Sequence, residues 1–319
     1  MPLENPDWSI ELDPRTLTPD WGQVLGAVGV RYASLGVQTF DPALQAAIGR
    51  IQPDADLARA TQLLRENGIS SLNFDLMYGL PGQTLTQLEA SLKRTLELGA
   101  DRIALFGYAH VPHMLPRQRR IDASNLPDQA ERFEMARFGY ELLTGAGYVP
   151  VGFDHFARPG DPMAEAVRRG TLRRNFQGFT DDQGEVLVGL GASAISSLPQ
   201  GYAQNAASVA QYRRAIEGGG LPTARGVALT AEDRIRRDVI SEIMCRLTVD
   251  LNEICRAHGA GLDMFADDVA RLKPLQEDGV AQIEGTRVTV PEDARHLVRA
   301  VGAIFDSRLS RPDRHSSVA

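Results

Sequence analysis

The amino-acid sequence predicts an α/β fold, followed by a mainly helical segment at the carboxyl end. In the first half, short apolar runs alternate with helical segments, which is typical of a parallel sheet of βα units, open or curled as a barrel. In the last 90 or so residues, helices precede two short runs joined through Glu284-Gly285, an order that resembles a winged helix. The length of 319 residues suits two domains, and we place their boundary near 219–225, giving domains 1–225 and 226–319.

Four apolar runs are the predicted strands of the first domain. Thr18 and Asp41 are predicted N-caps, since each precedes a proline, and Gly68 and Gly99 mark helix ends. Residues 148–225 have no clear periodicity and are predicted to be irregular. The predicted strands are Ser9–Leu12, Ala33–Gln38, Leu72–Leu80 and Ile103–Tyr108, and the predicted later helices are 54–67, 86–98 and 127–144.

The carboxyl-terminal domain starts at Thr230, a predicted N-cap with Asp233 three residues on. Its winged-helix-like order raises the possibility of DNA binding, but Asp267 and Asp268 in the third helix would be repelled by phosphates. A structural subdomain is the preferred interpretation. The predicted elements are helices at 232–246, 250–257 and 264–277, runs at 280–284 and 286–290, and a final helix at 291–309.

Composition excludes several classes of protein. The net charge of −7 argues against a general polyanion binder, and no apolar run is long enough to span a membrane. We therefore expect a cytoplasmic protein without a nucleic-acid or membrane partner. The two cysteines, Cys245 and Cys255, exclude a disulfide scaffold and any three- or four-cysteine metal site built by this chain alone. Core thiols are the preferred interpretation of both.

Polar residues recur at the ends of the predicted strands. Glu11, Gln38, Asp75 and His110 lie in or directly after four successive strands. Ligands of parallel βα sheets bind at the carboxyl ends of the strands, so this pattern predicts a polar ligand at one mouth of a barrel. A single residue of this kind is more often a satisfied structural polar group, whereas the four together favour a site.

Arginines next to aromatic residues form a second candidate site. Arg158 follows FDHFA, while Arg173 and Arg174 precede NFQGF. Arginine beside aromatic rings suits a flat, partly apolar ligand with carboxylates, although a solvated loop with packed rings is an equal alternative. A basic cluster, Arg117, Arg119 and Arg120, lies in the polar segment 110–126. His110 and His113 have a metal-like spacing, but Pro112 between them disfavours a zinc site.

Several sequence strings resemble one family, the oxygen-independent coproporphyrinogen III oxidases, which are radical S-adenosylmethionine (SAM) enzymes of haem biosynthesis. The resemblance extends from about Trp8 to Leu309. GVQ and YGLP are shared with related radical enzymes, whereas DHFARP and RNFQGFT are specific and separate the chain from the haem-chaperone branch. The strings are SLGVQTF, NFDLMYGLPGQT, LFGYAHVP, FDHFARPGD, RNFQGFT, GLGASAIS, YAQN and RGVALTAEDRIRRD.

The resemblance implies a partial (β/α)6 barrel, of which the four predicted strands would be the last four, with two SAM molecules at its mouth. Glu11 would hold ribose hydroxyls of the first SAM, and Ile195 would contact the same molecule. The second SAM would be surrounded by Gln38, Arg50, Asp75 and Ala109, with Arg50 on the methionyl carboxylate and Ala109 contributing backbone groups only. Arg158, Arg173 and Arg174 are candidate partners of the substrate's propionates.

The resemblance also implies an activity: oxidative decarboxylation of two propionates of coproporphyrinogen III to vinyl groups, by a monomer with an unspecified electron donor. The family's CxxxCxxC motif, which ligates a [4Fe–4S] cluster, is absent from this sequence. We therefore expect an amino-terminally truncated family member, from a gene truncation or a misplaced gene start, which is inactive alone and offers no catalytic or metal-binding residue. The alternatives are a non-catalytic protein that binds SAM or a tetrapyrrole, and a winged-helix regulator, which the acidic charge disfavours.

Overall fold

A six-stranded sheet is the frame of the first half of the chain. The computed structural model describes residues 6–309, which divide between Glu165 and Ala166 into two compact units. In the sheet of the first unit, β1 to β4 are parallel, and β6 and β5 complete the order β1-β2-β3-β4-β6-β5 as antiparallel strands. The strands are β1 (Trp8–Leu12), β2 (Val30–Gln38), β3 (Ser71–Tyr78), β4 (Arg102–Gly107), β5 (Val149–Val151) and β6 (His155–Ala157).

Helices connect these strands, and their starts follow local capping chemistry. The side chains of Thr18, Asp41, Thr84 and Asp128 each accept a hydrogen bond from a first-turn backbone N–H, which confirms the two N-caps predicted at Thr18 and Asp41. The helices are α1 (Pro19–Val28), α2 (Pro42–Ala47), α3 (Asp54–Glu66), α4 (Leu85–Glu97), α5 (Gln129–Gly145) and α6 (Pro162–Arg169), and short 3₁₀ helices cover Pro14–Thr16 and Pro116–Arg120.

The sheet has one apolar face and one polar face. Side chains alternate along a strand, so Leu35, Phe74 and Leu105 point to the same side, where they are buried in the core. Residues such as Ser34 and Asp75 point to the opposite side. The core is completed from α3, α4 and α5 by Leu57, Leu64, Leu88, Leu92, Met135 and Leu143. The parallel βα arrangement predicted for the first half is confirmed.

The second unit combines antiparallel sheets with helices. Its sheets are the β7-β8 hairpin, the three-stranded sheet β11-β10-β9 and the three-stranded sheet β12-β14-β13. The strands are β7 (Arg173–Asn175), β8 (Gly178–Thr180), β9 (Ile195–Leu198), β10 (Gly201–Asn205), β11 (Thr223–Ala228), β12 (Thr248–Asp250), β13 (Gln282–Glu284) and β14 (Arg287–Thr289). The helices are α7 (Val209–Glu217), α8 (Ala231–Arg246), α9 (Leu251–His258), α10 (Ala266–Glu277) and α11 (Val298–Ile304), with 3₁₀ turns at Leu262–Phe265 and Glu292–Leu297.

The prediction that residues 148–225 are irregular is wrong, because they contain β5 to β10, α6, α7 and the start of β11. These strands are three to six residues long, and in the second unit they are largely half-buried or exposed, so they produce no apolar run. The predicted boundary at 225/226 lies inside β11, where Arg225 and Gly226 pair with Gln204 and Ala203. The division into domains 1–225 and 226–319 stays a prediction.

No helix within residues 6–309 is long and apolar enough to cross a membrane.

Candidate functional site

A polar row crosses the second face of the sheet in the first unit. Ser34 on β2 is paired in register with Glu11 on β1 and with Asn73 on β3. The Ser34 hydroxyl donates to Oδ2 of Asp75 at 3.0 Å, and the Asn73 amide donates to Oδ1 of Asp75 at 2.7 Å. Asn73 Nδ2 also donates to the Ser34 hydroxyl oxygen at 3.0 Å. The carboxylate of Asp75 is therefore held in one orientation by two neighbouring strands.

Asp75 has a strongly shifted pKa. Its burial, followed by the nearby negative charge of Glu11, raises the pKa of Asp75 from 3.8 to about 6. The hydrogen bonds from Ser34 and Asn73, and the charge of His155, act in the opposite direction without overcoming burial. A carboxyl group that titrates near neutral pH among other polar side chains is typical of a binding or catalytic site.

Gln38 ends β2 in an unusual backbone conformation. Its φ is +67°, and the Thr39 N–H donates across it to the Val37 carbonyl at 2.9 Å, which makes a three-residue turn of a rare, strained type. The buried side chain of Gln45 supports this turn by donating to the Thr39 carbonyl at 3.0 Å. The Gln38 Oε1 atom is buried and has no hydrogen-bond partner in the described chain.

Arg50 follows α2 and reaches back to the same place. Its Nη2 donates to the Gly36 carbonyl at 2.9 Å and lies 3.6 Å from Oδ1 of Asp13. Its Nε is buried without a partner among residues 6–309, and burial lowers the pKa of Arg50 while Asp13 opposes that effect. A Cβ at Gly36 would lie 3.0 Å from Gln38 Nε2 and 3.1 Å from Arg50 Nη2, so glycine lets both side chains approach β2 closely.

Gln38 Oε1 and Arg50 Nε, the two unsatisfied atoms, indicate which ligand groups can bind beside Gly36. A buried polar atom without a partner costs about 1–3 kcal/mol, so the pair favours a ligand that satisfies both. Gln38 Oε1 needs a hydrogen-bond donor, whereas Arg50 Nε needs an acceptor. The ammonium and carboxylate of an amino-acid group supply both functions within one small fragment.

The other residues of the predicted SAM set are partly brought together. Glu11 lies on the same sheet face as Asp75, and Ala109 follows β4 at the carboxyl end of the sheet, where its carbonyl accepts from Gln118 Nε2 at 2.8 Å. Glu11, Gln38, Arg50, Asp75 and Ala109 thus all belong to the first unit.

Ile195 is the first residue of β9 in the second unit. The glycine-rich tract before it is fixed by its own chain: Asn205 Nδ2 donates to the carbonyls of Gly189 and Gly191, each at 3.0 Å. A Cβ at Gly189 would lie 2.7 Å from the Ile195 backbone, so this glycine permits the close packing of the tract on β9.

Of the three candidate substrate arginines, Arg158 belongs to the first unit, and Arg173 and Arg174 belong to the second. Arg158 Nε donates to the Ala100 carbonyl at 3.0 Å, before β4 begins, and therefore at the opposite end of the parallel strands from Gln38. Arg173 Nη1 donates to the Gln183 carbonyl at 2.6 Å, and the Arg174 guanidinium lies 5.7 Å from the centre of the Phe179 ring. A substrate role for these arginines stays a prediction, and the position of Arg158 gives it no support.

Sequence reasoning missed Ser34 and Asn73, which orient Asp75. Both could have been predicted to lie on the polar face, because residues two apart on a strand share a face. Ser34 stands two residues before Gly36, and Asn73 stands two before Asp75. His155, whose Nδ1 lies 2.6 Å from Asp154 Oδ1, was also missed as a member of this face, because it enters the sheet on an antiparallel strand far along the chain.

The chain's own cysteines do not fit an iron–sulfur cluster. Cys245 on α8 and Cys255 on α9 are buried, and burial raises the pKa of Cys245 to about 11 and raises that of Cys255 as well. Cluster ligands are thiolates and number at least three in the usual motif. No group of three His, Cys, Asp or Glu side chains suited to a metal occurs in the part of the chain that the structure describes.

The chain is similar to several known proteins. Residues 3–95 match the family model of the Radical SAM superfamily. The chain is 48% identical over 307 residues to an oxygen-independent coproporphyrinogen III oxidase of Bradyrhizobium diazoefficiens, covering 96% of this chain and 68% of that protein. It is 38% identical over 305 residues to the protein of the same name from Thermostichus vulcanus, covering 95% of this chain and 94% of that protein.

A solved structure shows the same fold. Coproporphyrinogen III oxidase (HemN) from Escherichia coli, a radical SAM enzyme, superposes with a TM-score of 0.89 at 38% identity, over 95% of this chain and 70% of that one. The similarity to these relatives covers about 95% of the chain, and thus extends far beyond the radical SAM match at residues 3–95. The chain belongs to the oxygen-independent coproporphyrinogen III oxidase family of radical SAM oxidoreductases.

Proposed function

We propose that this chain carries the SAM-binding and substrate-binding part of an oxygen-independent coproporphyrinogen III oxidase, which acts on coproporphyrinogen III in haem biosynthesis. The names of its relatives support the substrate and the pathway. One structural observation carries the binding assignment: the side chains of Gln38 and Arg50 both lie against Gly36, and their buried atoms Oε1 and Nε have no partner within residues 6–309.

The residues present suit SAM. Arg50 binds the methionyl carboxylate through Nε, and Gln38 Oε1 accepts from the ammonium group, so both orphaned atoms are satisfied by one amino-acid fragment. Asp75 in its ionised form is a further acceptor, and Ala109 offers only backbone groups. When bound, SAM supplies the radical chemistry of the family.

A second SAM molecule is part of the proposal. Glu11 lies next to Asp75 on the polar face, and its two carboxylate oxygens suit the two hydroxyls of a ribose. Ile195 would contribute an apolar contact to the same molecule.

The [4Fe–4S] cluster of the family does not fit the residues of this chain, because Cys245 and Cys255 are buried, protonated thiols on two neighbouring helices. We therefore propose that the residues of this chain bind SAM and the substrate but do not catalyse the decarboxylation by themselves. No step of the reaction is assigned to its side chains.

The carboxyl-terminal part, from the N-cap Thr230 after β11 onward, is proposed to be a winged-helix-like structural domain. The order α8, β12, α9, α10 and the β13-β14 hairpin supports this proposal, as does the pairing of β12 with β14. A DNA-reading role is not proposed, since Asp267 and Asp268 stand in the first turn of α10.

Titration calorimetry with SAM tests the proposal. Arg50→Ala removes the carboxylate partner, and we expect at least a tenfold loss of affinity, because hydrogen bonds to charged groups contribute about 1.5–3 kcal/mol. The matched control is Arg59→Ala, which removes an exposed arginine paired with Asp56 on α3 and should leave the affinity unchanged. Equal affinities of the wild type and Arg50→Ala, with unchanged circular dichroism, would overturn the assignment.

A further inference from the structure

The connection between β4 and α5 is unusually long and lies at the functional end of the sheet. It runs from Tyr108 to Asp128, and loops of this length inside a compact fold are usually binding loops or lids. Because it leaves the carboxyl end of a parallel strand, it stands where ligands of such sheets bind. None of the SAM contacts proposed above uses this connection beyond Ala109.

The base of this connection is firmly anchored. Gln118 is buried, and its side chain bridges two backbone groups: Oε1 accepts from the Val111 N–H at 2.6 Å, and Nε2 donates to the Ala109 carbonyl at 2.8 Å. Ile121 and Leu126 pack against a small apolar cluster around Tyr108. The anchored base fixes the direction of the residues around Gln118.

The residues around Gln118 present a mixed apolar and cationic surface. Met114 is 59% exposed and Leu115 is 38% exposed, although both are large apolar side chains. Arg117 and Arg120 flank the buried Gln118, are exposed and have no ion-pair partner within the described range 6–309. By contrast, the exposed arginines Arg59 and Arg137 are paired with carboxylates on their own helices.

The charge of Arg117 acts on Arg50. Burial lowers the pKa of Arg50, Asp13 opposes that effect, and the positive charges of Arg15 and Arg117 add smaller decreases. Burial raises the pKa of Tyr108, and the charge of Arg117 partly opposes that rise. Two arginines that approach one another without a carboxylate between them repel, and a bound anion would relieve that repulsion. The cationic surface therefore follows β4 at the same end of the parallel sheet at which Gln38 ends β2.

We propose that Met114, Leu115, Arg117 and Arg120 form the surface that receives the tetrapyrrole substrate, with the arginines binding its propionate carboxylates. Coproporphyrinogen III is an apolar macrocycle that carries four carboxylates, which matches a surface of apolar side chains beside unpaired guanidinium groups. This inference rests on the proposed function, and it adds the residues that recognise the substrate.

The chemistry of this surface also favours turnover. The reaction converts two propionates to vinyl groups, so the product has two carboxylates fewer than the substrate. A surface that recognises carboxylates through arginine therefore binds the substrate more tightly than the product, which favours product release.

Fluorescence titration of the full chain with coproporphyrin III, the oxidised and fluorescent form of the substrate, tests the inference. We expect the double variant Arg117→Ala/Arg120→Ala to bind coproporphyrin III at least tenfold more weakly than the wild type. The affinity for protoporphyrin IX, which has two carboxylates, should fall by a smaller factor in the same variant. The control variant Arg59→Ala/Arg137→Ala removes the same charge from helices α3 and α5 and should bind coproporphyrin III like the wild type. Met114→Gln should weaken both porphyrins.

SAM titration of the same variants distinguishes the two sources of a carboxylate. Unchanged SAM affinity in the double variant assigns Arg117 and Arg120 to the substrate, whereas a loss of SAM affinity alone would assign them to the methionyl carboxylate and overturn the inference. Equal binding of coproporphyrin III by the wild type and the double variant would overturn it while the proposed function stands. A wild-type chain that binds neither SAM nor coproporphyrin III would overturn the proposed function itself.

Discussion

At the scale of single residues, the site depends on a few atoms that the rest of the protein leaves unsatisfied. Gln38 is held at a positive φ and Arg50 is bent back over Gly36, and each keeps one buried polar atom without a partner in the described structure. Strain and unsatisfied polarity both cost stability, and both are expected at binding sites. Asp75 is also buried, and its hydrogen bonds from Ser34 and Asn73 offset only part of the cost of burying its charge, so its carboxyl group titrates near neutral pH.

Asp75→Asn should make the unliganded protein more stable at neutral pH. The pKa of Asp75 is raised from 3.8 to about 6, so between these values the folded state holds a proton that the unfolded state releases. The free energy of unfolding of the wild type therefore falls as the pH rises from about 4 to 6, by an amount on the order of 3 kcal/mol. Urea unfolding at pH 4.5, 5.5, 6.5 and 7.5 measures the gap between variant and wild type.

The gap should widen up to about pH 6 and then stay constant. Glu89→Gln removes a carboxylate from the surface of α4, where it pairs with Lys93, and controls for the loss of one negative charge. A gap for Asp75→Asn that is the same at all four pH values would show that the buried carboxylate is not the titrating group.

At the scale of elements, the parallel sheet carries the site at the carboxyl ends of its strands. A buried ion pair stabilises the amino ends of the same strands. Asp161, which follows β6, accepts from Arg102 Nε at 2.9 Å and from the Ser71 hydroxyl at 3.3 Å. The Arg102 guanidinium lies 4.9 Å from the centre of the Tyr32 ring on β2. This group joins β2, β3 and β4 at the amino ends of the strands, and so supports the sheet whose opposite end carries Gln38 and Ala109.

Asp161→Ala should destabilise the first unit by about 3 kcal/mol, because it leaves the largely buried guanidinium of Arg102 without its carboxylate. The free energy of unfolding is measured by urea denaturation at pH 7.5. The control is Glu134→Ala, which breaks an exposed pair with Arg137 on α5 and should cost less than 1 kcal/mol. Similar losses in the two variants would contradict a bracing role for Asp161.

At the scale of the whole molecule, the chain shares its fold with a radical SAM enzyme but not a set of cluster ligands. It spans 68% of its Bradyrhizobium relative and 94% of its Thermostichus relative. Its two cysteines lie in the second unit, on α8 and α9, and both are buried. The proposed SAM-binding residues Gln38, Arg50 and Asp75 belong to the first unit.

Anaerobic reconstitution of the printed chain with iron and sulfide should give no stable cluster absorbance after desalting, because the chain has only two cysteines and burial keeps both protonated. The variant Cys245→Ser/Cys255→Ser controls for nonspecific iron and should retain as much as the wild type. Four iron atoms per chain with a stable visible absorbance, lost in this variant, would show that the two cysteines do ligate a cluster.

How much could be predicted from sequence depended on the range of the interactions involved. The strands from Ser9–Leu12 to Ile103–Tyr108 and the caps at Thr18 and Asp41 were predictable, because hydrophobic periodicity and capping act within a few residues. The short strands between 173 and 228 were not, because pairing with a distant strand, rather than an apolar run, forms them.

The same division separates what the sequence alone determined from what only the tertiary structure decided. Motifs identified the family, and the apolar runs placed Glu11 and Asp75 within strands and Gln38 at the end of one. This was predictable because the alternation of side chains along a strand is local information. Only the fold brought Arg50 back over Gly36, where both it and Gln38 keep an unsatisfied atom, and only the fold put Arg158 at the far end of the strands. The reason is physical: burial, strain and missing hydrogen-bond partners are properties of packed surroundings, and no single stretch of sequence contains those surroundings.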